Sequence, residues 1–131
     1  MKNIKNTVLF QWFDEVWNQG NEESIDKLMA ENSNAHGIIQ EGQPNGASGF
    51  KIFYREFRKD FKDIKIEVED VICHDNIECA RTNVTARHEG TNSMVNFSGI
   101  CWVMIVGGKI VEAWNSYDFL ELYKQIGLIK L

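Results

Sequence analysis

Asp118 is the residue of this sequence best suited to move a proton. It follows the run Trp114-Asn115-Ser116-Tyr117 and precedes Phe119, so its carboxylate is expected among aromatic rings. Desolvation raises the pKa of a carboxyl group toward the range in which a general acid or base works near neutral pH. The competing reading is a helix cap, in which Asp118 accepts from the amides near Leu120 and Glu121. His36 lies in an apolar segment and reads either as a core histidine or as a pocket wall. His88 stands between Arg87 and Glu89 and reads either as a solvated strand end or as a group projecting onto the face of Asp118. His74 adjoins the Asp75-Asn76 turn and is expected in solvent.

Other chemistries find little support. Cys73, Cys79 and Cys101 are an odd number without C-x-x-C spacing, which suits reduced thiols better than a disulfide framework or a zinc site. The scattered histidines form neither H-x-x-x-H nor H-E-x-x-H, so no metal is expected. Glycine-rich nucleotide loops and G-x-S-x-G are missing from the sequence, so no cofactor is expected either. With 14 Lys and Arg against 19 Asp and Glu, the net charge of −5 disfavours nucleic acid as a partner. No apolar run reaches the roughly 18 to 20 residues of a membrane span, and the first residues do not read as a signal peptide. The expectation is a cytoplasmic chain with no membrane partner.

The elements that must position these residues are legible from periodicity. The 131 residues fit one domain, 1–131, with 44% hydrophobic residues and a single proline. Lys5 to Gln19 carries the rows Val8, Trp12, Val16 and Leu9, Phe13, Trp17, which predicts a helix with one broad apolar stripe. Gly20 closes it and Asn21 caps a second helix reaching Met29. Ala35 to Ile39 reads as a short extended segment. A loop from Gln40 to Gly49 leads to a third helix that starts near Ser48 and presents Phe50, Phe53, Tyr54, Phe57 and Phe61. Period-two alternation then predicts strands over Ile64 to Cys73, Ile77 to His88, Val95 to Val106 and Lys109 to Tyr117, with a bulge between Val68 and Val71. An amphipathic tail with Phe119, Leu120, Leu122 and Tyr123 ends the chain.

A two-residue turn at Gly107-Gly108 pairs Val106 with Lys109 and sets the register of the last hairpin. Carried through regularly, it places Phe97, Gly99, Cys101, Val103, Ile105, Ile110, Trp114 and Asp118 on one face. Ile100, Trp102, Met104, Val111, Ala113, Asn115 and Tyr117 share the other. Two apolar faces need two covers, helices on one side and a second subunit on the other. A homodimer through Trp102, Met104, Val111 and Ala113 is therefore expected.

Helix, helix, short strand, helix and a long four-stranded meander resembles the nuclear transport factor 2-like fold, an α+β cone whose curved sheet wraps a pocket. Phe13 to Asn21, His36, Gly49 with Phe53-Tyr54-Arg55, Arg81 seven residues before His88, Gly108 to Glu112, Trp114, Asp118, Gln125 and Gly127 narrow the resemblance to its SnoaL-like polyketide cyclase branch. The resemblance implies an intramolecular aldol closure without cofactor or metal, with Asp118 at the acid/base position. It also implies pocket positions for His36 and His88 and a wall position for Trp114. A carboxylate there would take a proton α to a carbonyl, and an apolar pocket would keep water from the enolate. The chain departs from the branch at Ala86-Arg87-His88, at Gly37, where a proline is usual, and in the short loop Gly90 to Ser93. Expected pocket residues are Trp12, Phe13, Phe53, Phe57, Phe97 and Trp114, and the expected occupant is a small hydrophobic molecule. Two functions stand open: an Asp-based cyclase or isomerase, and a binding module without turnover.

Overall fold

The strand alternation from residue 61 onward folds into one curved, five-stranded sheet. The computed structural model describes residues 3–39 and 42–129. In chain order the elements are α1 (Val8–Gln11) continuing as a π turn (Trp12–Asn18), α2 (Glu23–Leu28), β1 (Met29–His36), α3 (Gly46–Asp60), β2 (Phe61–His74), β3 (Ile77–His88), β4 (Ser93–Val106), β5 (Lys109–Tyr117) and α4 (Phe119–Gln125). The sheet order is β1-β5-β4-β3-β2, with β1 parallel to β5 and all other pairs antiparallel. The α+β class and the meander are as the sequence predicts. Among the described residues no helix is long and apolar enough to cross a membrane.

Several local expectations change. The first helix is not a uniform α-helix. Its second half widens into a π turn, in which Gln19 N–H reaches back to Asp14 O at 2.8 Å, and Trp12, Phe13, Val16 and Trp17 all turn inward. Trp17 then meets the rings of Phe50, Phe53, Tyr54 and Phe57, with centroids 5.0 to 6.2 Å away. The extended segment after α2 is longer than Ala35 to Ile39, because β1 starts at Met29 to pair with β5. Helix α3 begins at Gly46 rather than near Ser48. The bulge expected after Val68 falls between Val68 and Asp70.

The largest departure is in β5. Gly107 and Gly108 both take positive φ, and Val106 pairs with Lys109 and Ile105 with Ile110 as expected. Met104 then pairs with Glu112, so Val111 is an extra residue, a β-bulge. Because side chains alternate with period two, one inserted residue exchanges the faces of everything after it. Ala113, Asn115 and Tyr117 turn to the inner face opposite Val103, Cys101 and Gly99, while Trp114 turns outward beside Trp102. Two residues of the expected partner face are corrected with it. Ala113 is buried at 5% exposure against the inner core, and Val111 is the bulge itself. The outer apolar patch consists instead of Ile100, Trp102, Met104 and Trp114.

Polar side chains tie the helices to the inner face. Glu78, at an inward position of β3 and 3% exposed, accepts from Val8 N–H at 3.1 Å and Leu9 N–H at 2.8 Å. These are amides of the first turn of α1, which have no partner within the helix, and a negative charge there also meets the positive end of the helix dipole. Asn18 pairs with the backbone of Ile66 in both directions, accepting its N–H at 2.6 Å and donating to its carbonyl at 2.9 Å. Tyr54 Oη donates to Val16 O at 2.9 Å. Glu78→Ala strands two buried amides, so urea denaturation is expected to show a loss of about 3 kcal/mol. Glu78→Gln, which keeps one acceptor, loses less. An unchanged midpoint in Glu78→Ala would show that the clasp adds nothing to stability.

Candidate functional site

An aromatic cavity of about 50 Å³ lies between the first helix, α3 and the inner face of the sheet. The π turn supplies Trp12, Phe13 and Trp17, and α3 supplies Phe50, Phe53 and Phe57 at the i, i+3, i+7 spacing of one helix face. Phe97, Tyr117 and Phe119 close the sheet side. A second cavity of about 280 Å³ adjoins it, and Phe53, Phe57 and Phe119 border both. Small-molecule sites usually run to about 300–1,000 Å³, so the inner cavity alone admits a few waters or a short fragment.

Asn115 and Tyr117 are the polar side chains of the inner cavity. The Tyr117 ring lies across Gly99, where even a Cβ would come within 2.2 Å of it, and its hydroxyl reaches Thr82 Oγ1 at 3.1 Å on the next strand. Burial pushes the Tyr117 phenol well above the usual tyrosine range; the neighbouring Cys101 adds to the rise and the Thr82 hydrogen bond offsets part of it. Burial likewise pushes the Cys101 thiol up to about 12, with Cys79 adding to it. Asn115 Nδ2 donates to His36 O at 3.0 Å, which fixes the amide at the end of β1.

The expected site residues divide. Trp12, Phe13, Phe53, Phe57 and Phe97 line the cavity. Trp114 does not: the bulge puts it on the outer face, 45% exposed and 5.0 Å from Trp102. His36 pairs with Trp114 across β1 and β5 and so faces outward too, stacked on its ring at 4.9 Å and bonded to Glu112. Asp118 is exposed and is the N-cap of α4, accepting from Glu121 N–H at 3.1 Å. The aspartate and the two histidines are not brought together. His88 alone of the three stays on the inner side. It pairs with Ser93, packs 5.1 Å from Phe61, bonds Thr91 at 2.9 Å, and borders the outer cavity with Glu56 and Asp60. The predicted pairing with Val95 is off by two residues, which leaves the face unchanged. Among the described residues, no three His, Cys, Asp or Glu side chains are grouped to hold a metal ion.

Sequence reasoning missed Trp17, Asn115, Tyr117 and Phe119. Trp17 was already on the predicted apolar stripe and needed only its π-turn inclination. Asn115 and Tyr117 were assigned to the opposite face, and the bulge that moves them inward has no glycine to announce it.

The raised pKa values set a pH dependence. Both acidic groups are neutral in the fold, so their contribution is complete below the ordinary thiol and phenol values, about 8.5 and 10, and is lost as pH rises toward the folded values. The melting temperature is expected to fall from about pH 9 upward. Tyr117→Phe should flatten that fall above about pH 10, and an identical alkaline profile in the variant would remove Tyr117 from it.

A family model described as SnoaL-like polyketide cyclase matches residues 7–126. Among solved structures, a Bacillus cereus protein described as "Putative polyketide cyclase" is 31% identical with a TM-score of 0.83, the alignment covering 94% of this chain and 80% of that one. An Acidithiobacillus ferrooxidans protein, also described as a "putative polyketide cyclase", is 24% identical with a TM-score of 0.81 over 94% of each chain. AclR of Streptomyces galilaeus, described as "a putative hydroxylase", shares the fold at 21% identity and a TM-score of 0.78, over 93% of this chain and 95% of its own. No curated protein matches. The family match spans the first helix, the aromatic face of α3, the whole meander and α4, all the elements that enclose the cavity, and on that ground the chain belongs to the SnoaL-like polyketide cyclase family, with its nuclear transport factor 2-like fold.

Proposed function

We propose that this chain holds a small, largely apolar molecule in its aromatic cavity, without proton transfer by Asp118. One observation carries the reading. The Asp118 carboxylate accepts from the Glu121 amide at the exposed start of α4 and does not line the cavity, whose walls are aromatic and aliphatic side chains with Asn115. A general base must come within hydrogen-bond reach of the proton it removes, directly or through one water. The second reading is the cofactor-independent cyclase or isomerase, with Asp118 as base and His36 or His88 polarising a carbonyl. It draws support from family membership and from His88, which opens onto the outer cavity next to the aromatic partition.

Two Asp118 variants separate the readings. A cap reading makes Asp118→Ala lose about 0.5–2 kcal/mol of stability. Asp118→Asn stays near wild type, and both variants keep ligand binding as followed by the fluorescence of Trp12 and Trp17. A variant Asp118→Asn that folds and binds normally but loses turnover of a β-dicarbonyl substrate would establish the enzyme instead.

The outer apolar patch of exposed Ile100 and Trp114 and half-buried Trp102 and Met104 supports a homodimer formed through the outer sheet face. Ile100 is 50% and Trp114 45% exposed, unusual for neighbouring large side chains on one face. Light scattering is expected to give a dimer for the wild type and a folded monomer for Trp102→Glu. A monomeric wild type at micromolar concentration would count against the pairing.

A further inference from the structure

The last two turns of α3, the start of β2 and Gly20 form an open groove of about 580 Å³. Four cations line it, Arg55, Arg58, Lys59 and Lys62, against two carboxylates, Glu22 and Asp63, in a chain whose net charge is −5. Both carboxylates are already engaged. Arg55 holds Glu22 through Nε at 2.7 Å and Nη2 at 3.0 Å, and Arg87 of β3 reaches Asp63 at 3.3 Å. Among the described residues Arg58, Lys59 and Lys62 have no acidic partner.

Exposed lysines need no partner, but Arg58 is half-buried and held in place. Its guanidinium lies over the Tyr54 ring, 5.4 Å from the centroid, and Nη1 donates to Trp17 O at 3.4 Å. Gly20 lies against it, where a Cβ would come within 2.8 Å of Nη2. The other three arginines of the chain, Arg55, Arg81 and Arg87, all pair with carboxylates. Arg58 is positioned by a ring and a carbonyl instead, neither of which neutralises it. A guanidinium offers five N–H donors in a planar fork, so its charge and most of its donors are unspent. Lys62 Nζ donates to Arg58 O at 3.0 Å, which keeps a second positive charge beside the same residue.

We propose that this groove binds the phosphate group of a small organic molecule, with Arg58 as the fork and Lys59 and Lys62 as flanking charges. A phosphate suits the set better than a single carboxylate, because it brings up to two negative charges and three acceptor oxygens to three cations that lack an acid of their own. Tyr54, Phe61 and Ile64 add apolar lining, and the volume lies in the range of small-molecule sites, which favours a phosphate carried on an organic group over the free anion. The groove shares no lining residue with the aromatic cavity, so the two sites stand or fall separately.

Titration of the full chain with inorganic phosphate, diphosphate and phenyl phosphate at constant ionic strength, followed by NMR, tests the assignment. The expected result is saturable, one-site movement of the amides of Gly20 and residues 58–64, with phenyl phosphate the tightest of the three. Arg58→Gln is expected to weaken that binding about tenfold, as the loss of a charged hydrogen bond implies. Lys59→Gln, at an exposed position, weakens it about threefold, while Lys124→Gln, which removes the same charge from α4, leaves it unchanged. The two lysine variants carry the test if Arg58→Gln does not fold. Inorganic phosphate or diphosphate binding as tightly as phenyl phosphate would overturn the organic ligand. Shifts that never saturate, or equal weakening in Lys59→Gln and Lys124→Gln, would trace the response to surface charge at large and overturn the site.

Discussion

Val111 is the residue on which the chemistry of the interior depends. By adding one position to β5 opposite an uninterrupted β4, it exchanges the faces of the last six residues of that strand. An interior with Trp114 and Glu112 would be large-ringed and charged. The interior that forms has Ala113 flat against Ala35, and Asn115 and Tyr117 at the polar end. The same exchange carries the partner strand with it. Because β1 pairs in parallel with the bulged part of β5, His36 is turned outward with Trp114, and a histidine–glutamate pair forms on the outside of the sheet rather than in the cavity.

The helices are held to this sheet by hydrogen bonds that imitate secondary structure. Asn18 offers Ile66 an amide donor and acceptor as a neighbouring strand would. Gln125 repeats the device at the other end of the sheet, accepting from Asn96 N–H at 2.8 Å and donating to its carbonyl at 2.7 Å, so that α4 is buttoned to β4. Glu78 completes the first turn of α1 in place of the carbonyls of a preceding turn. Each clasp gives a partner to backbone groups that the sheet or helix leaves open. The cavity can therefore be lined almost wholly by hydrocarbon without the walls losing their positions.

The bounds of the strands at Ile77–His88 and Lys109–Tyr117 were legible to the residue, because glycines or an Asp-Asn pair mark the turns. The aromatic rows of the first helix and α3 were legible as the core for the same reason, being at helical spacing. The bulge was not. Val111 is β-branched, suits a strand, and stands between Ile110 and Glu112, so its residue type gives no sign of an inserted position and only the paired structure shows it. Glu78 had a signal that went unread: a carboxylate at an inward position of an otherwise clean alternation between Ala80, Thr82 and Val84 must have a partner. Asp118 was read both ways, and its two roles differ by the direction of one side chain, which periodicity does not encode.

The phenylalanine partition has a consequence in time rather than in affinity. Phe53, Phe57 and Phe119 come from two elements separated by the whole meander, and Phe119 also packs on Phe97 and Tyr117. Phe53 and Phe57 also stack on each other at 5.8 Å, so the wall between the two cavities rearranges only as fast as side chains rotate in a packed environment.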